Sequence, residues 1–271
     1  MTKFRPAMQP PKTLRAGVIQ FDVRRGDISS NLESAITGIR RLSAQGAQLA
    51  VLPELWTCGF DHANIIQHAE KIPEIIDILA QTAKAHGMLI AGSLPEASDG
   101  RIYNTLVVID RDGAIAGSYR KVHLFSTGRE NQTFTAGQTA EVWNTSLGVI
   151  GGVICYDIRF PELCRSLAIQ GARLIVVCAQ WPEARIGHWN TLLQSRAIEN
   201  QLFIVAANRT GSDNPLSFPG HSQIISPYGE ILAKTTDARD EVSAEIHFKD
   251  MDAFRSLFDC LKERVPEAYR L

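Results

Sequence analysis

Three side-chain types that together can supply a nucleophile, a base and a fixed positive charge stand where apolar runs of this chain stop. Glu54 follows the run LAVLP. Cys155 closes the run GVIGGVI. Lys121 follows a strand-like stretch, in Tyr119-Arg120-Lys121-Val122-His123. A second carboxylate, Glu130, lies in the polar loop 126–132. Strand ends are where a rigid sheet holds a side chain in an open crevice. Cys155 is the nucleophile candidate. A short turn, 156–160, separates it from a helix that Pro161 begins, so its sulfur lies near backbone N–H groups that favour negative charge. A free thiol has a pKa of about 8.5, so it needs a base or a positive neighbour to react. Glu54, hemmed in by Leu52, Pro53, Leu55 and Trp56, should be desolvated, which raises its pKa toward the working range of a general base. Lys121 can supply fixed positive charge to a developing oxyanion. The other cysteines read as packing: Cys164 on a helix, Cys178 inside an apolar strand, Cys260 near the end, and Cys58.

The elements that must position these groups alternate between strand and helix. Strands are expected at 16–20, 48–53, 88–93, 148–154, 174–179, 202–207 and 242–246. Between them, Ser30-x-x-Glu33 has capping-box spacing, and Leu32, Ile36, Ile39 and Leu42 recur at helical intervals. Further helices are expected from Pro73 to near Gly87, from Pro161 to near Gly171, and over 187–200; the end, 251–271, reads as partly helical. Two hairpins interrupt the alternation. One turns at Arg111-Asp112-Gly113 and the other at Pro227-Tyr228-Gly229. Helices between buried strands imply layers of helix on sheet, and the hairpins imply mixed sheets.

Composition narrows the field. The chain has 271 residues, 45% hydrophobic and 21% charged, which excludes a disordered chain or a long coiled coil. Lys plus Arg is 28 against 29 Asp plus Glu, so no charge excess favours nucleic acid or an anionic membrane. Five scattered cysteines suggest neither a disulfide framework nor a zinc site and suit the cytoplasm. Residues 1–13, with three prolines and no apolar core, read as a flexible arm ahead of one domain, 14–271. No apolar run approaches membrane-spanning length. Dinucleotide and phosphate loops, metal-ligand spacings and a serine-hydrolase elbow are all missing.

The local sequences LAVLPELWTCGF, YRKVHLF and GGVICYDIRFPEL, in this order, resemble the nitrilase superfamily of carbon–nitrogen hydrolases. The resemblance runs from 16–20 to about Lys234. It implies an α/β fold, a four-layer α-β-β-α sandwich with two mixed β-sheets in a single domain, usually paired through helices into a homodimer or larger assembly. It implies catalysis by Glu54, Lys121 and Cys155, with Glu130, in STGRENQTFTAG, assisting. The segment CAQWPEARIGHWNTLLQSRAIENQLFIVAANRTG resembles the ω-amidase-like branch, which deamidates monoamides of small dicarboxylic acids. Tyr156 beside the cysteine, where nitrile hydrolysers often carry Trp, favours amides. The expected chemistry is a thioester route. Lys121 and the Tyr156 backbone N–H would hold the oxyanion, and neither metal nor cofactor is required. Arg185, less so Arg159, is the candidate for a distant carboxylate; Trp181, Phe60 and Asn208 are candidates for the pocket wall. N-carbamoyl amine or nitrile hydrolysis by the same triad, and a silent binding protein of the same fold, are the alternatives.

Overall fold

The computed structural model describes residues 11–235 and 240–269. The first half of the chain runs β1 (Thr13–Ile19), α1 (Ile28–Ala44), β2 (Leu49–Val51), α2 (Ile65–Glu70), α3 (Ile72–His86), β3 (Leu89–Ser98), β4 (Arg101–Ile109) and β5 (Ile115–Arg120). The second half runs β6 (Trp143–Thr145), β7 (Gly148–Ile154), α4 (Pro161–Ile169), β8 (Leu174–Ala179), α5 (Ile186–Asn200), β9 (Phe203–Asn208), β10 (Thr210–Asp213), β11 (Leu216–Pro219), β12 (Gln223–Ile225), β13 (Ile231–Lys234), β14 (Glu241–His247) and α6 (Phe248–Leu257). Two six-stranded sheets result, in the orders β14-β1-β2-β3-β4-β5 and β13-β12-β9-β8-β7-β6. Each holds three parallel strands, β1-β2-β3 or β7-β8-β9, flanked by antiparallel ones.

Period-2 alternation explains the layers. Leu49 and Val51 point between the sheets and share a core with Val176 and Val205. Ala50 and Leu52 point outward against Ile39, Leu42, Ile75 and Leu79 of α1 and α3. On the far side, Leu167 of α4 and Trp189 and Leu193 of α5 cover the second sheet. The helix–sheet contact is close. A Cβ on Gly17 would lie 2.6 Å from Leu42, and one on Gly38 would lie 2.7 Å from Ile19, so glycine is what lets α1 settle onto β1. The expected four-layer sandwich of two mixed sheets is the architecture observed.

Several boundaries differ from expectation. Strand β1 already includes Thr13, so the arm read over 1–13 is shorter, and its residues 1–10 lie outside the described residues. The cap of α1 is Asp27, whose side chain accepts from the Ser30 N–H (3.1 Å), not Ser30 itself. Strand β3 continues past Ser93 and turns into β4 through Asp99-Gly100. Both residues have positive φ, 52° and 71°, which suits a two-residue hairpin. Strand β2 pairs with β3 only as far as Ala91, so Pro95 lies on an edge that tolerates its missing N–H. The small β10–β11 hairpin had no sequence signal and forms a separate two-stranded sheet.

Candidate active site

Strand β5 is two antiparallel steps from β3, so it points the same way, and its end lies at the same edge as the end of β2. That geometry brings Lys121 beside Glu54. The second sheet delivers Cys155 from the end of β7 to the same place. Glu54, Lys121, Glu130 and Cys155 all line one cavity of about 470 Å³.

The charged groups are tightly knit. Lys121 Nζ donates to Glu54 Oε1 (2.7 Å) and to both oxygens of Glu130 (2.8 Å each). Asn104 Nδ2 donates to Glu54 Oε1 (2.8 Å) and to Glu130 Oε1 (3.4 Å). The Phe125 N–H donates to Glu130 Oε2 (2.6 Å), and the Gln180 N–H donates to Glu54 Oε2 (3.0 Å). Burial pushes the Glu54 carboxyl above the usual carboxylate range; Lys121 opposes this and Glu130 adds to it. Burial alone would depress the Lys121 ammonium, but the two carboxylates outweigh it and raise it. Lys121 is therefore a permanent cation. The Cys155 thiol is held well above its ordinary value by its desolvated surroundings and by Glu54, against the pull of Lys121 and the Gln180 N–H. Such a thiol rests protonated, and to act as a nucleophile it would have to give its proton to a base.

Cys155 has a φ of +47°, a left-handed conformation that a side-chain-bearing residue rarely adopts. This strain falls at the point where the chain reverses from β7 into a tight turn and aims the sulfur into the cavity. Asp157 holds the turn. Its fully buried carboxylate accepts from the Ile154 N–H (2.9 Å), the Tyr119 hydroxyl (2.8 Å), the His123 N–H (3.0 Å) and His123 Nδ1 (2.9 Å). Tyr119 and His123 flank Lys121, so one carboxylate ties the lysine segment of the first sheet to the cysteine turn of the second. The His123 ring also stacks on Phe160, with centroids 3.7 Å apart.

Phe60, Tyr156, Arg159, Trp181 and Arg185 line the cavity as well. The Arg159 guanidinium lies 4.7 Å over the Trp181 ring, and the Arg185 guanidinium 5.5 Å over Phe125. Trp181 is fixed by a bond from Nε1 to the Arg185 carbonyl (2.8 Å). Asn208 differs from expectation: it is absent from the cavity wall. Its side chain is fully buried and serves backbone, accepting from the Trp181 N–H (2.6 Å) and donating to the carbonyls of Trp181 (3.0 Å) and Gly220 (2.6 Å). It supports Trp181 from behind. Sequence reasoning missed Asn104, Asp157, Gln180 and Arg209. Gln180 carried the same signal as Glu54, a polar residue directly after an apolar strand. Asn104 carried another, a polar residue inside an apolar strand. Among the described residues no three His, Cys, Asp or Glu side chains converge as a metal site requires, and no helix is long and apolar enough to cross a membrane.

Two packed mixed sheets with a cysteine, a lysine and two carboxylates at their shared edge define a class. The chain belongs to the carbon–nitrogen hydrolase family, whose sequence profile matches residues 15–256. It is 38% identical over 250 residues to a 2-oxoglutaramate amidase of Bacillus subtilis, covering 90% of this chain and 96% of that one. The omega-amidase NIT2-A of Xenopus laevis is 34% identical over 255 residues, covering 90% and 92%. The crystal structure of a carbon–nitrogen hydrolase from Helicobacter pylori superposes with a TM-score of 0.88 at 26% identity, covering 95% of this chain and 97% of that one. The protein is thus a hydrolase of the amidase kind.

Proposed function

We propose that this protein hydrolyses the primary amide of a small dicarboxylic acid monoamide to ammonia and the free acid, through a thioester on Cys155. The observation that carries this reading is the buried Lys121 ammonium clasped by Glu54 and Glu130 beside a strained cysteine. Glu54 takes the thiol proton as sulfur attacks the amide carbon. The carbonyl oxygen gains the electron pair and is held by Lys121 and the Tyr156 N–H. Such a donor is typically worth about 3–4 kcal/mol. The intermediate collapses, the C–N bond breaks, and Glu54 returns the proton to the leaving nitrogen. Water then gives its proton to Glu54 and attacks the thioester; the C–S bond breaks and the thiol is restored. Glu130 keeps Lys121 in place through two bonds.

The second carboxylate of the substrate is assigned to Arg185, with Arg159 beside it. Among the described residues neither guanidinium is in a salt bridge, and each has one face covered by an aromatic ring. The two relatives named an amidase of 2-oxoglutaramate and an omega-amidase support the same substrate class. The decisive test is a mass spectrum of protein quenched during turnover with a panel of dicarboxylic monoamides, neutral amides, nitriles and N-carbamoyl amines. An acyl adduct on Cys155 from the monoamides is expected; adducts from nitriles alone, or on another cysteine, would overturn the reading. In the same assays Arg185→Ala should raise KM for the acidic amides about tenfold or more and leave neutral amides unchanged.

We also propose a homodimer in the cytoplasm. Ile198, 46% exposed on α5, and Tyr228, 44% exposed in the turn beside it, leave apolar surface on the α4–α5 layer. All five cysteines are free, as a reducing compartment allows. Sedimentation equilibrium should return twice the chain mass; a monomer at micromolar concentration would refute the pairing.

A further inference from the structure

Glu54 belongs to the first sheet and Cys155 to the second, so their separation depends on how the sheets are braced at that edge. The brace is visible in the hydrogen bonds. The Ala179 carbonyl, at the end of β8, accepts from the N–H of both Glu54 (3.4 Å) and Arg209 (3.2 Å). The next residue, Gln180, grips Glu54 twice. Its N–H donates to the carboxylate Oε2 (3.0 Å), and its side-chain Nε2 donates to the Glu54 carbonyl (2.8 Å). The remaining polar atom of that side chain, Oε1, accepts from Arg209 Nη1 (3.0 Å).

Arg209 itself is only 1% exposed, although it is a cation at the end of β9. Nη2 donates to Asp22 Oδ1 (2.8 Å), just beyond β1 in the first sheet; Nε donates to the Thr210 carbonyl (3.1 Å); the guanidinium lies 4.5 Å over the Phe218 ring. Asp213 and Arg25 are the other charged groups that act on it. Burying a guanidinium is costly unless its donors are satisfied, and here the fork of donors is divided between Gln180 and Asp22. A lysine, with one nitrogen, cannot reproduce that division.

We propose that Arg209 is a positioning residue of the catalytic centre: by locking the Gln180 amide, it fixes the Glu54 carboxylate against Cys155. The inference rests on the reading of Glu54 as base to Cys155. Without Arg209 the Gln180 side-chain amide is free to turn, so its bond from Nε2 to the Glu54 carbonyl is lost, and the Gln180 N–H that favours the ionised carboxylate is no longer held against it. The other titratable groups facing Glu54, namely Lys121, Glu130 and the thiols of Cys155 and Cys178, are not touched by the change.

The test is alkylation of Cys155 by iodoacetamide, itself a small primary amide, followed against pH by peptide mass spectrometry. Arg209→Met should slow labelling at neutral pH about tenfold, the scale of one lost hydrogen bond to a charged group. It should also move the midpoint of the acid limb upward, because Glu54 must be ionised to accept the proton. Gln180→Met should do the same, and the double variant should be no slower than either single one, since both break one chain of contacts. Arg209→Lys should recover part of the rate. An unchanged midpoint and rate in Arg209→Met, or effects that multiply in the double variant, would overturn the proposal. If Arg209→Met does not fold, Gln180→Met and its combination with Arg209→Lys decide by the same criteria. Labelling needs no turnover. A wild-type protein that alkylates quickly at Cys155 yet hydrolyses no amide would therefore sink the proposed function and leave the brace intact.

Discussion

Cys155→Ala should abolish amide hydrolysis, a loss of about four orders of magnitude or more in kcat, and should leave no acyl adduct in quenched samples. Cys155→Ser should fall nearly as far, because a hydroxyl is harder to deprotonate by the same carboxylate. Neither change should disturb folding. The residue is only half-buried, and Ala or Ser at a φ of +47° meets the same backbone strain as Cys. Thermal midpoints close to wild type, with activity lost, are the expected pair of results. Retained activity in the alanine variant would end the thioester mechanism. The contrast with the other thiols is instructive. Cys58 and Cys164 are also pushed up, each to about 12, and burial is the main cause for both. An elevated thiol is therefore not the mark of a nucleophile in this molecule. What sets Cys155 apart is company, the Glu54 carboxylate, the Lys121 ammonium and the Gln180 N–H, which the proposed mechanism uses to take its proton and to receive the oxyanion. Alanine at Cys58 should accordingly reduce stability through a small cavity and leave kcat unaltered.

The same distinction explains what was legible in the sequence. Glu54 and Lys121 end strand-like runs with residue types that a core does not accept without a partner; Cys155, a type a core accepts readily, stood out only by its place between a strand end and a helix start. Their positions announce a crevice before any contact is known. Buried strands such as 48–53 and 174–179, with helices between them, implied layers of helix on sheet; the four-layer sandwich itself came from the resemblance of LAVLPELWTCGF, YRKVHLF and GGVICYDIRFPEL to the nitrilase superfamily. The residues that tune the site were not legible in that way. Asn104 looks like one polar residue in a strand; its meaning lies in Glu54 and Glu130, 50 and 26 positions away. Arg209 joins Gln180 to Asp22 across 29 and 187 positions. Asn208 fell to the opposite error. It does end an apolar strand, but the chain spends its amide on the backbone around Trp181, and no periodicity reveals which way a strand-end side chain turns. At the start of α1, Asp27 and Ser30 both fit a cap. The choice was made by the backbone at Asp27, whose carboxylate reaches the Ser30 N–H.

Glu54→Gln and Lys121→Met should both suppress catalysis and yet move stability in opposite directions. Glutamine cannot take the thiol proton, so kcat should fall about 10³-fold or more, at the upper part of the range for losing a general base. Its acid limb should vanish too. In the wild type kcat/KM should decline as pH falls through a Glu54 pKa raised above 4.5, because only the ionised carboxylate accepts a proton. Stability follows from the charge count. Glu54 and Glu130 share one lysine, which leaves a net negative charge in a dry site. A carboxyl whose folded pKa is raised is one whose ionisation the fold opposes, so at neutral pH it lowers stability. Removing that charge leaves Lys121 and Glu130 as a neutral pair. Glu54→Gln should therefore match or exceed the wild-type thermal midpoint at neutral pH. The difference should close as pH falls through the raised pKa and the wild type takes up the proton itself. Lys121→Met leaves two buried carboxylates with no ammonium between them and should cost about 3–5 kcal/mol, the usual penalty for breaking a buried pair from one side. Denaturation of both variants at neutral and acid pH checks the signs. A Glu54→Gln protein less stable than wild type at neutral pH would mean that the fold depends on the carboxylate it uses for chemistry, and that the net charge of this site is not a strain held for catalysis.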